Sequence, residues 1–210
     1  MSLASLHKPI YENRIKILST MVLKHLKPGD RVLDVGSGSG YLAKTLVDKA
    51  RVEGLEIEAQ GIEKHPRGGE EIETLAFDGY EIPCEDDFYD VTLLADVVHH
   101  EEDYMRLLRE VTRVTKRFLI IKDHTPRGFL GQWRICLMDW AANNPYGVKC
   151  LYRYFTAEEW GEIYRELGLE VEEEVTSIRL YQEPFNLIFG NRLQYLAVLR
   201  KGEEMASIPV

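Results

Sequence analysis

Apolar residues recur at helical spacing near the start of the chain and in short β-branched runs further on. Over residues 10–26 the apolar positions follow the period of an amphipathic helix. The run Arg31–Val35 is typical of a short strand, and it leads directly into glycines. Residues 41–50 have helical composition, and residues 55–62 alternate apolar and polar positions as a strand does. The pattern therefore predicts a β-α-β unit after a first helix.

The alternation of strands and helices continues through the middle of the chain. Strand candidates at Val91–Leu94 and Phe118–Ile121 flank a helical segment at Tyr104–Thr115. Such alternation is typical of a parallel sheet covered by helices on both faces. Two further strand-like runs, 171–181 and 193–199, predict an antiparallel pair at one edge of the sheet. The expected fold class is α/β, a three-layer sandwich with an antiparallel C-terminal strand.

The stretch 125–155 interrupts this alternation, because it is rich in Trp, Tyr, Pro, Asn and Gly. We interpret it as a cover beside a substrate site. Its aromatic side chains suit a pocket for an apolar or planar acceptor, and packing against the sheet explains them equally well. They are Trp133, Trp140, Tyr146, Tyr152, Tyr154 and Phe155. Directly afterwards, Thr156 and Glu159 form the capping-box signature of a helix that stops at Gly168.

Length and composition narrow the class of protein. A chain of 210 residues fits one hydrophobic core, so we take residues 1–210 as a single domain. The net charge of -9 argues against nucleic-acid binding, which relies on clustered Lys and Arg, and favours a small-molecule partner. No apolar run approaches the roughly 18 residues of a membrane span, and the N-terminus lacks a signal core. The three cysteines, Cys84, Cys136 and Cys150, show no paired short spacing that would suggest a disulfide scaffold or a zinc site. This favours a cytoplasmic protein.

A glycine turn separates the first predicted strand from the helix after it, with the sequence Asp34-Val-Gly36-Ser-Gly38-Ser-Gly40. Glycines permit positive φ and let a ligand approach the backbone without meeting a Cβ. The dinucleotide fingerprint requires a small residue where this chain has Tyr41, which argues against NAD and FAD. The sequence also lacks the G-x-x-x-x-G-K-[ST] loop that holds nucleoside triphosphates. A nucleoside ligand without a phosphate fits the turn best.

The segment Val32-Leu-Asp-Val-Gly-Ser-Gly-Ser-Gly40 resembles motif I of the class I methyltransferases that depend on S-adenosylmethionine (SAM). Three later segments resemble further motifs of this family in the family's order: Gly61-Ile-Glu63, Ala76-Phe-Asp78-Gly79, and residues 88–100. The resemblance implies SAM as cofactor and a Rossmann-like, mostly parallel seven-stranded sheet. Residues 10–26 would then be the N-terminal helix, and residues 30–122 the cofactor-binding half.

The resemblance also implies roles for individual residues. Glu63 is expected to accept hydrogen bonds from both ribose hydroxyls, which suits a group that offers only acceptors. Asp78 is expected to receive the adenine amino group, although a turn aspartate before glycine would look the same. Tyr11 and Arg14 are candidates to close over the cofactor. The remaining expected cofactor contacts follow the first, third and fourth strands: Asp34, Gly36, Ser37, Gly38, Gly40, Tyr41, Gly79, Ala95 and Asp96.

The sulfonium of SAM already activates its methyl group, so transfer can rely largely on proximity and orientation. A general base is needed only where the acceptor must lose a proton, and the candidates are His100, His124 and Asp123. We favour the interpretation that His99 and His100 pack or cap the helix that begins near Glu101, with one ring facing the cofactor. Asp96 and Asp123 suggest a rival magnesium or manganese site, but their spacing is not diagnostic, and we expect no metal.

The expected function is methyl transfer to an oxygen, nitrogen or carbon atom of a small-molecule acceptor. One alternative is a SAM-binding protein that has lost catalysis and regulates a partner. Another is a methyltransferase that acts on RNA or protein, which the acidic charge and the lack of an added binding domain disfavour. Both a monomer and a homodimer are compatible with the sequence.

Overall fold

The described strands of the computed structural model form one sheet; the description covers residues 3–143, 150–181, 183, 186 and 191–202. The strands are β1 Arg31–Val35, β2 Glu58–Glu63, β3 Thr74–Ala76, β4 Tyr89–Ala95, β5 Thr115–His124, β6 Leu169–Val175 and β7 Gln194–Lys201. The helices are α1 Leu3–Leu23, α2 Tyr41–Val52, α3 Tyr104–Val114, α4 Gly131–Asn143 and α5 Ala157–Glu166. Short 3-10 turns lie at Val98–His100 and Asn191–Leu193.

The strand order across the sheet is β3-β2-β1-β4-β5-β7-β6. The first five strands pair in parallel, whereas β7 is antiparallel to both β5 and β6. This arrangement confirms the expected Rossmann-like fold with its antiparallel C-terminal strands. The order reverses at β1, between β2 and β4, and ligands bind outside the carboxyl ends of the strands at such a reversal. In the described part of the chain, no helix is long and apolar enough to cross a membrane.

The central strands are buried on both faces. On one face, Leu33 and Leu94 belong to a core cluster that α3 and α5 complete. On the other face, Val32 and Leu93 belong to a cluster completed by α1 and α2. Adjacent residues alternate between the two clusters because successive strand side chains point to opposite faces. The sheet is therefore covered on both sides, and its carboxyl edge is where polar side chains gather.

Several boundaries differ from the sequence-based expectation. Helix α1 begins at Leu3 rather than at residue 10 and ends at Leu23 rather than at residue 26; among its described side chains, Ile15, Leu18 and Val22 pack in the core. Strand β5 runs beyond the expected Ile121 to His124, since β7 continues to pair with its polar end. Strand β6 stops at Val175, well before residue 181, as the start of β7 pairs with β5 alone.

The start of α5 agrees with its sequence signature. The Thr156 hydroxyl accepts a hydrogen bond from the backbone N–H of Glu159 at 3.2 Å. The Glu159 carboxylate accepts one from the backbone N–H of Thr156 at 2.7 Å. Gly168 follows the helix with φ of 65°, a conformation that glycine adopts at little cost. The expected capping box is confirmed, and it sets the start of α5 directly after Thr156.

We expect Thr156→Ala to lower the free energy of unfolding by about 1 kcal/mol, because the N–H of Glu159 loses its acceptor. Urea unfolding followed by circular dichroism measures the change. Thr45→Ala is the matched control, since the Thr45 hydroxyl donates back to the Tyr41 carbonyl oxygen within α2. Its change should stay within about 0.5 kcal/mol. Equal losses in the two variants would contradict the capping explanation.

Candidate functional site

The carboxyl ends of the four central parallel strands meet at one edge. The strand register places Val35 beside Ile62 and Leu94, and it places Ala95 beside Lys122. Residues that directly follow these positions along the chain are therefore neighbours in space. They include the glycine turn after β1, Glu63 at the end of β2, Asp96 after β4, and His124 at the end of β5.

The glycine turn depends on residues without a Cβ. Gly36, Gly38 and Gly40 have φ of 67°, 55° and 73°, in the left-handed region that glycine tolerates. The Gly36 N–H donates to the Ile62 carbonyl oxygen at 2.8 Å, which holds the turn against β2. A Cβ on Gly36 would lie 2.7 Å from a methyl carbon of Val97, whereas one on Gly38 would meet nothing within 4 Å. The turn is tight on its inner side and open above Gly38.

The Glu63 side chain is hydrogen-bonded to the backbone of the glycine turn. One carboxylate oxygen accepts the backbone N–H of Gly38 at 2.9 Å, and the other accepts the backbone N–H of Lys64 at 2.9 Å. A carboxylate offers about four acceptor positions, so these two bonds leave it able to accept further hydrogen bonds from a ligand.

Asp34 is an ionisable group inside the sheet. Its side chain lies in β1 and is only 2% exposed, and its Oδ2 has no hydrogen-bond partner among the described residues. Burial raises the pKa of Asp34 to about 7, against the opposing charge of Arg14. A buried acceptor without a partner is costly unless a bound molecule satisfies it.

Helix α1 reaches the glycine turn through an aromatic contact. The rings of Tyr11 and Tyr41 stack with centroids 6.1 Å apart, and the Tyr11 hydroxyl lies 3.5 Å from the Ser39 hydroxyl. The structure thus places Tyr11 beside the loop that sequence reasoning expected it to approach. Helix α2 begins at Tyr41, and its N-cap Gly40 supplies no side-chain cap.

Asp96 directly follows β4 and carries a charge shared by two cations. Its carboxylate accepts hydrogen bonds from Arg14 and from Lys122, each at 2.5 Å, and its φ of 62° turns the chain sharply. Burial opposes ionisation, but the charges of Lys122 and Arg14 hold the pKa of Asp96 well below its usual range. Both oxygens are engaged, and no metal-ligating group among the described residues includes Asp96. The rival metal site at Asp96 and Asp123 is therefore not assembled.

Asp78 lies in the turn after β3, which adjoins the end of β2. It is exposed, and its Oδ1 accepts the backbone N–H groups of Glu81 and Tyr80, which lower its pKa. Gly79 is buried with φ of 95°, and a Cβ there would collide with the Lys64 side chain. In this structure Asp78 forms the turn before a glycine that the alternative interpretation described.

His99 belongs to the 3-10 turn after Asp96, and its ring lies between the carboxylates of Asp123 and Asp139. Its Nδ1 lies 2.5 Å from Asp123 Oδ1, and its Nε2 lies 3.7 Å from Asp139 Oδ1. The ring is 1% exposed. Burial lowers the pKa of His99, but Asp123 and Asp139 outweigh it and raise the pKa to about 10. His99 is thus buried between a carboxylate of β5 and a carboxylate of α4.

His100 and Tyr154 complete this group around Asp139. The His100 Nε2 lies 3.7 Å from Asp139 Oδ1, and its ring centroid is 4.1 Å from that of His99. The Tyr154 hydroxyl donates to the other Asp139 oxygen at 2.7 Å. Burial opposes ionisation of Asp139, but the nearby His99 ring and the hydrogen bond from Tyr154 lower its pKa to about 2. Burial and the neighbouring His99 lower the pKa of His100.

His124 ends β5 on the other side of His99. Both of its ring nitrogens are buried and have no hydrogen-bond partner among the described residues. Its Nδ1 lies 3.3 Å from Asp96 Oδ1, and its backbone N–H donates to Asp123 Oδ1 at 2.7 Å. Burial, followed by the charge of Lys122, lowers the pKa of His124. The cluster therefore contains a neutral, unpartnered imidazole at the carboxyl edge.

The described aromatic residues of the expected cover differ in exposure. Trp133 and Trp140 are 77% and 51% exposed, whereas Tyr154 is 8% exposed and bonds to Asp139. Tyr152 is also exposed, and Phe155 packs on Trp160 in the core. Tyr146 lies outside the described residues.

Sequence reasoning missed Asp139. Asp139 lies on the face of α4 that also carries the buried Ile135 and Met138, and this helical spacing was the signal that could have identified it.

The chain assembles two adjoining groups at this edge. The glycine turn, Asp34 and Glu63 form one, and the imidazoles with Asp123 and Asp139 form the other.

Comparison with known proteins gives a family. A family model described as a methyltransferase domain matches residues 10–174. The chain is 33% identical over 106 residues to a demethylmenaquinone methyltransferase of Bacillus cytotoxicus, covering 46% of this chain and 45% of the relative. It is 31% identical over 115 residues to phthiotriol/phenolphthiotriol dimycocerosates methyltransferase 1 of Mycobacterium ulcerans, covering 50% and 41%. The chain thus spans less than half the length of these curated relatives.

A solved structure shares the fold over nearly the whole chain. It is the methyltransferase in a complex with the Haloferax volcanii Trm112 methyltransferase activator, with a TM-score of 0.70 and 18% identity. The alignment covers 91% of each chain. Together with the family match and the strand order, this agrees with the resemblance found in the motifs. The chain belongs to the methyltransferase domain family, within the class I SAM-dependent methyltransferases.

Proposed function

We propose that this protein transfers a methyl group from SAM to an oxygen, nitrogen or carbon atom of a small molecule. The observation that carries the proposal is the adjacency of two groups at one sheet edge. The Glu63-supported glycine turn lies after β1 and β2, and the buried imidazole cluster lies after β4 and β5. A nucleoside cofactor and a polar acceptor would meet at their boundary.

The chain's residues fit SAM. The open space above Gly38 admits a ligand against the backbone, and Glu63 retains acceptor capacity for two ribose hydroxyls. The unpartnered Oδ2 of Asp34 is a buried acceptor suited to a cationic ligand. When bound, SAM supplies a methyl group that its sulfonium already activates. The other expected contacts, Ser37, Gly40, Tyr41, Ala95 and Asp96, lie in or beside these segments, whereas Asp78 and Gly79 belong to the adjoining turn.

The imidazole cluster can hold the acceptor and take its proton. His124 is the proposed proton acceptor, because both of its ring nitrogens are buried without partners. His100 offers a further unpartnered nitrogen, Nδ1. Asp123 bonds to the His99 ring and to the backbone of His124, so its proposed role is to position both histidines. An acceptor with no proton to lose would need only the orientation.

Two observations support a small-molecule acceptor rather than RNA or protein. The relatives above are named for demethylmenaquinone and for phthiotriol and phenolphthiotriol dimycocerosates. The net charge of -9 is unfavourable for a phosphate backbone. A cytoplasmic location is part of the proposal, and it is supported by the sparse cysteines, whose spacing in the sequence suggests no disulfide scaffold.

The decisive experiment follows a labelled methyl group from SAM into a cell metabolite extract by mass spectrometry. We expect a methylated product together with S-adenosylhomocysteine. With an acceptor that carries an O–H or N–H, His124→Gln should lower kcat by about 10²- to 10⁴-fold and leave SAM affinity unchanged. His25→Gln is the control, since His25 precedes β1 and pairs with Glu173, away from the carboxyl edge. SAM binding without any turnover would favour the non-catalytic regulator instead.

Glu63→Ala tests the cofactor assignment. We expect SAM affinity to fall about 10- to 150-fold, because charge-assisted hydrogen bonds worth roughly 1.5–3 kcal/mol are lost. Isothermal titration calorimetry measures this directly. Glu58→Ala removes an exposed carboxylate from the start of the same strand and should leave affinity unchanged. Unaltered affinity in Glu63→Ala would contradict the proposed pocket.

Asp34→Asn tests the cost of the buried carboxyl. In the folded protein Asp34 has a pKa of about 7, above its ordinary value of 3.8, so the folded state holds this proton more tightly. Its contribution to stability therefore declines as pH rises from about 4 to about 7. We expect the variant to gain stability relative to the wild type across that window, on the order of a few kcal/mol. Urea unfolding at pH 5 and pH 8 measures the gain.

The exposed Asp48 of α2 provides the control for this comparison. Asp48→Asn should change the free energy of unfolding by no more than about 0.5 kcal/mol at either pH. A gain in Asp34→Asn that is the same at pH 5 and pH 8 would show that the buried charge is not its cause.

A further inference from the structure

Three donor atoms from two separate elements converge beside the carboxyl edge. His99 and His100 come from the turn after β4, and Asp139 comes from α4. The Nε2 atoms of both histidines lie 3.7 Å from the same oxygen, Asp139 Oδ1. The three residues can present one ligand atom each, all within 4.8 Å of one another. Donors bonded to one metal ion at about 2.0–2.2 Å lie roughly 3–3.5 Å apart, so a small contraction would complete such a site.

Outer hydrogen bonds orient two of these donors. His99 Nδ1 lies 2.5 Å from Asp123 Oδ1 and keeps its proton there, so a metal ion would bind at Nε2 by replacing the proton on that nitrogen. The Tyr154 hydroxyl bonds to Asp139 Oδ2 at 2.7 Å, and Asp139 Oδ1 lies 3.7 Å from the Nε2 atoms of His99 and His100. Carboxylates behind metal-binding histidines, and donors behind metal-binding carboxylates, are the arrangement found around metal sites in proteins.

Burial and charge favour a cation at this point. The side chains of His99 and Asp139 are 2% and 3% exposed, whereas that of His100 is 19% exposed and leaves a path from solvent. Two buried carboxylates, Asp123 and Asp139, lie on either side of the His99 ring. A divalent cation balances their charge, and the His100 side leaves coordination positions open.

A second grouping, His99 with Asp123 and His124, is less suitable. There the donor atoms His99 Nδ1 and Asp123 Oδ1 are 2.5 Å apart, the distance of a hydrogen bond between them. Two ligands of one ion do not approach so closely. The contact between His99 and Asp123 therefore orients the His99 ring for the first grouping and does not form a second metal site.

We propose that His99, His100 and Asp139 form a binding site for a first-row transition-metal dication of the Zn²⁺ class. Two imidazoles and one carboxylate select zinc, iron or cobalt over magnesium and calcium, which prefer all-oxygen sites. The site differs from the metal-free arrangement expected from the sequence. Its donors belong to the acceptor side of the proposed methyl transfer, but they lie outside the glycine turn and Glu63, so SAM binding and metal binding can be measured separately.

The test uses the full chain, stripped of metal by a chelator and free of SAM. Co²⁺ is added while visible absorption reports its coordination, and Zn²⁺ affinity is measured by calorimetry. We expect one equivalent of Zn²⁺ and Co²⁺ absorption bands in the wild type, with affinity at least about 100-fold weaker in His100→Ala and Asp139→Asn. Excess Mg²⁺ should not displace the bound ion. Substoichiometric binding by the wild type, or unchanged affinity in both variants, overturns the proposal.

Controls locate the ion and separate folding from binding. His124→Gln and Cys150→Ser should keep wild-type Zn²⁺ affinity, since neither residue supplies one of the three donors. Loss of affinity in either variant would overturn the assignment. His100→Ala removes the most exposed of the three donors, so its fold can be checked by circular dichroism if Asp139→Asn unfolds. Because Glu63→Ala weakens SAM alone, failure of the metal site and failure of the methyltransferase proposal give different results.

Discussion

Asp96 directly follows β4, and its carboxylate accepts hydrogen bonds from Arg14 on one oxygen and from Lys122 on the other. Arg14 belongs to α1 and Lys122 to β5, so one carboxylate ties the first helix to two central strands. Removing either cation would leave the charge of the half-buried Asp96 only partly compensated. The φ of 62° at Asp96 also turns the chain into the segment that carries His99 and His100. The geometry of the whole edge therefore depends on this carboxylate.

Asp96 and Asp34 differ in how their carboxylates are compensated. Around Asp96 each charge has a partner, whereas Asp34 is buried in β1 with an unpartnered oxygen and a pKa raised to about 7 by its burial. The folded protein thus carries a local cost at Asp34 that a cationic ligand would relieve. Sites that bind ligands commonly accept such a loss of stability. The contrast separates residues that build the edge from residues that receive a ligand there.

Local signals predicted the parts of the fold that local interactions determine. The glycine turn and the capping box at Thr156 depend on neighbouring residues, and both were found where the sequence placed them. The polar end of β5 was missed because its strand conformation depends on pairing with β7, some 70 residues away in the chain. Asp78 could not be distinguished from a turn residue, since both interpretations predict the same Asp-Gly sequence. Asp139 was missed because only the tertiary fold brings α4 beside His99.

Helix α4 explains why the cover was hard to interpret. Apolar side chains occupy both of its faces, with Ile135 and Met138 buried and Trp133 and Leu137 exposed, so no single stripe marks the inner face. Asp139 is buried on this helix, and its Oδ1 lies 3.7 Å from a ring nitrogen of both His99 and His100. In the proposed function this carboxylate acts together with Asp123, which contacts the other ring nitrogen of His99. The inner face of α4 is thus defined by these tertiary contacts and not by a stripe of apolar residues in the sequence.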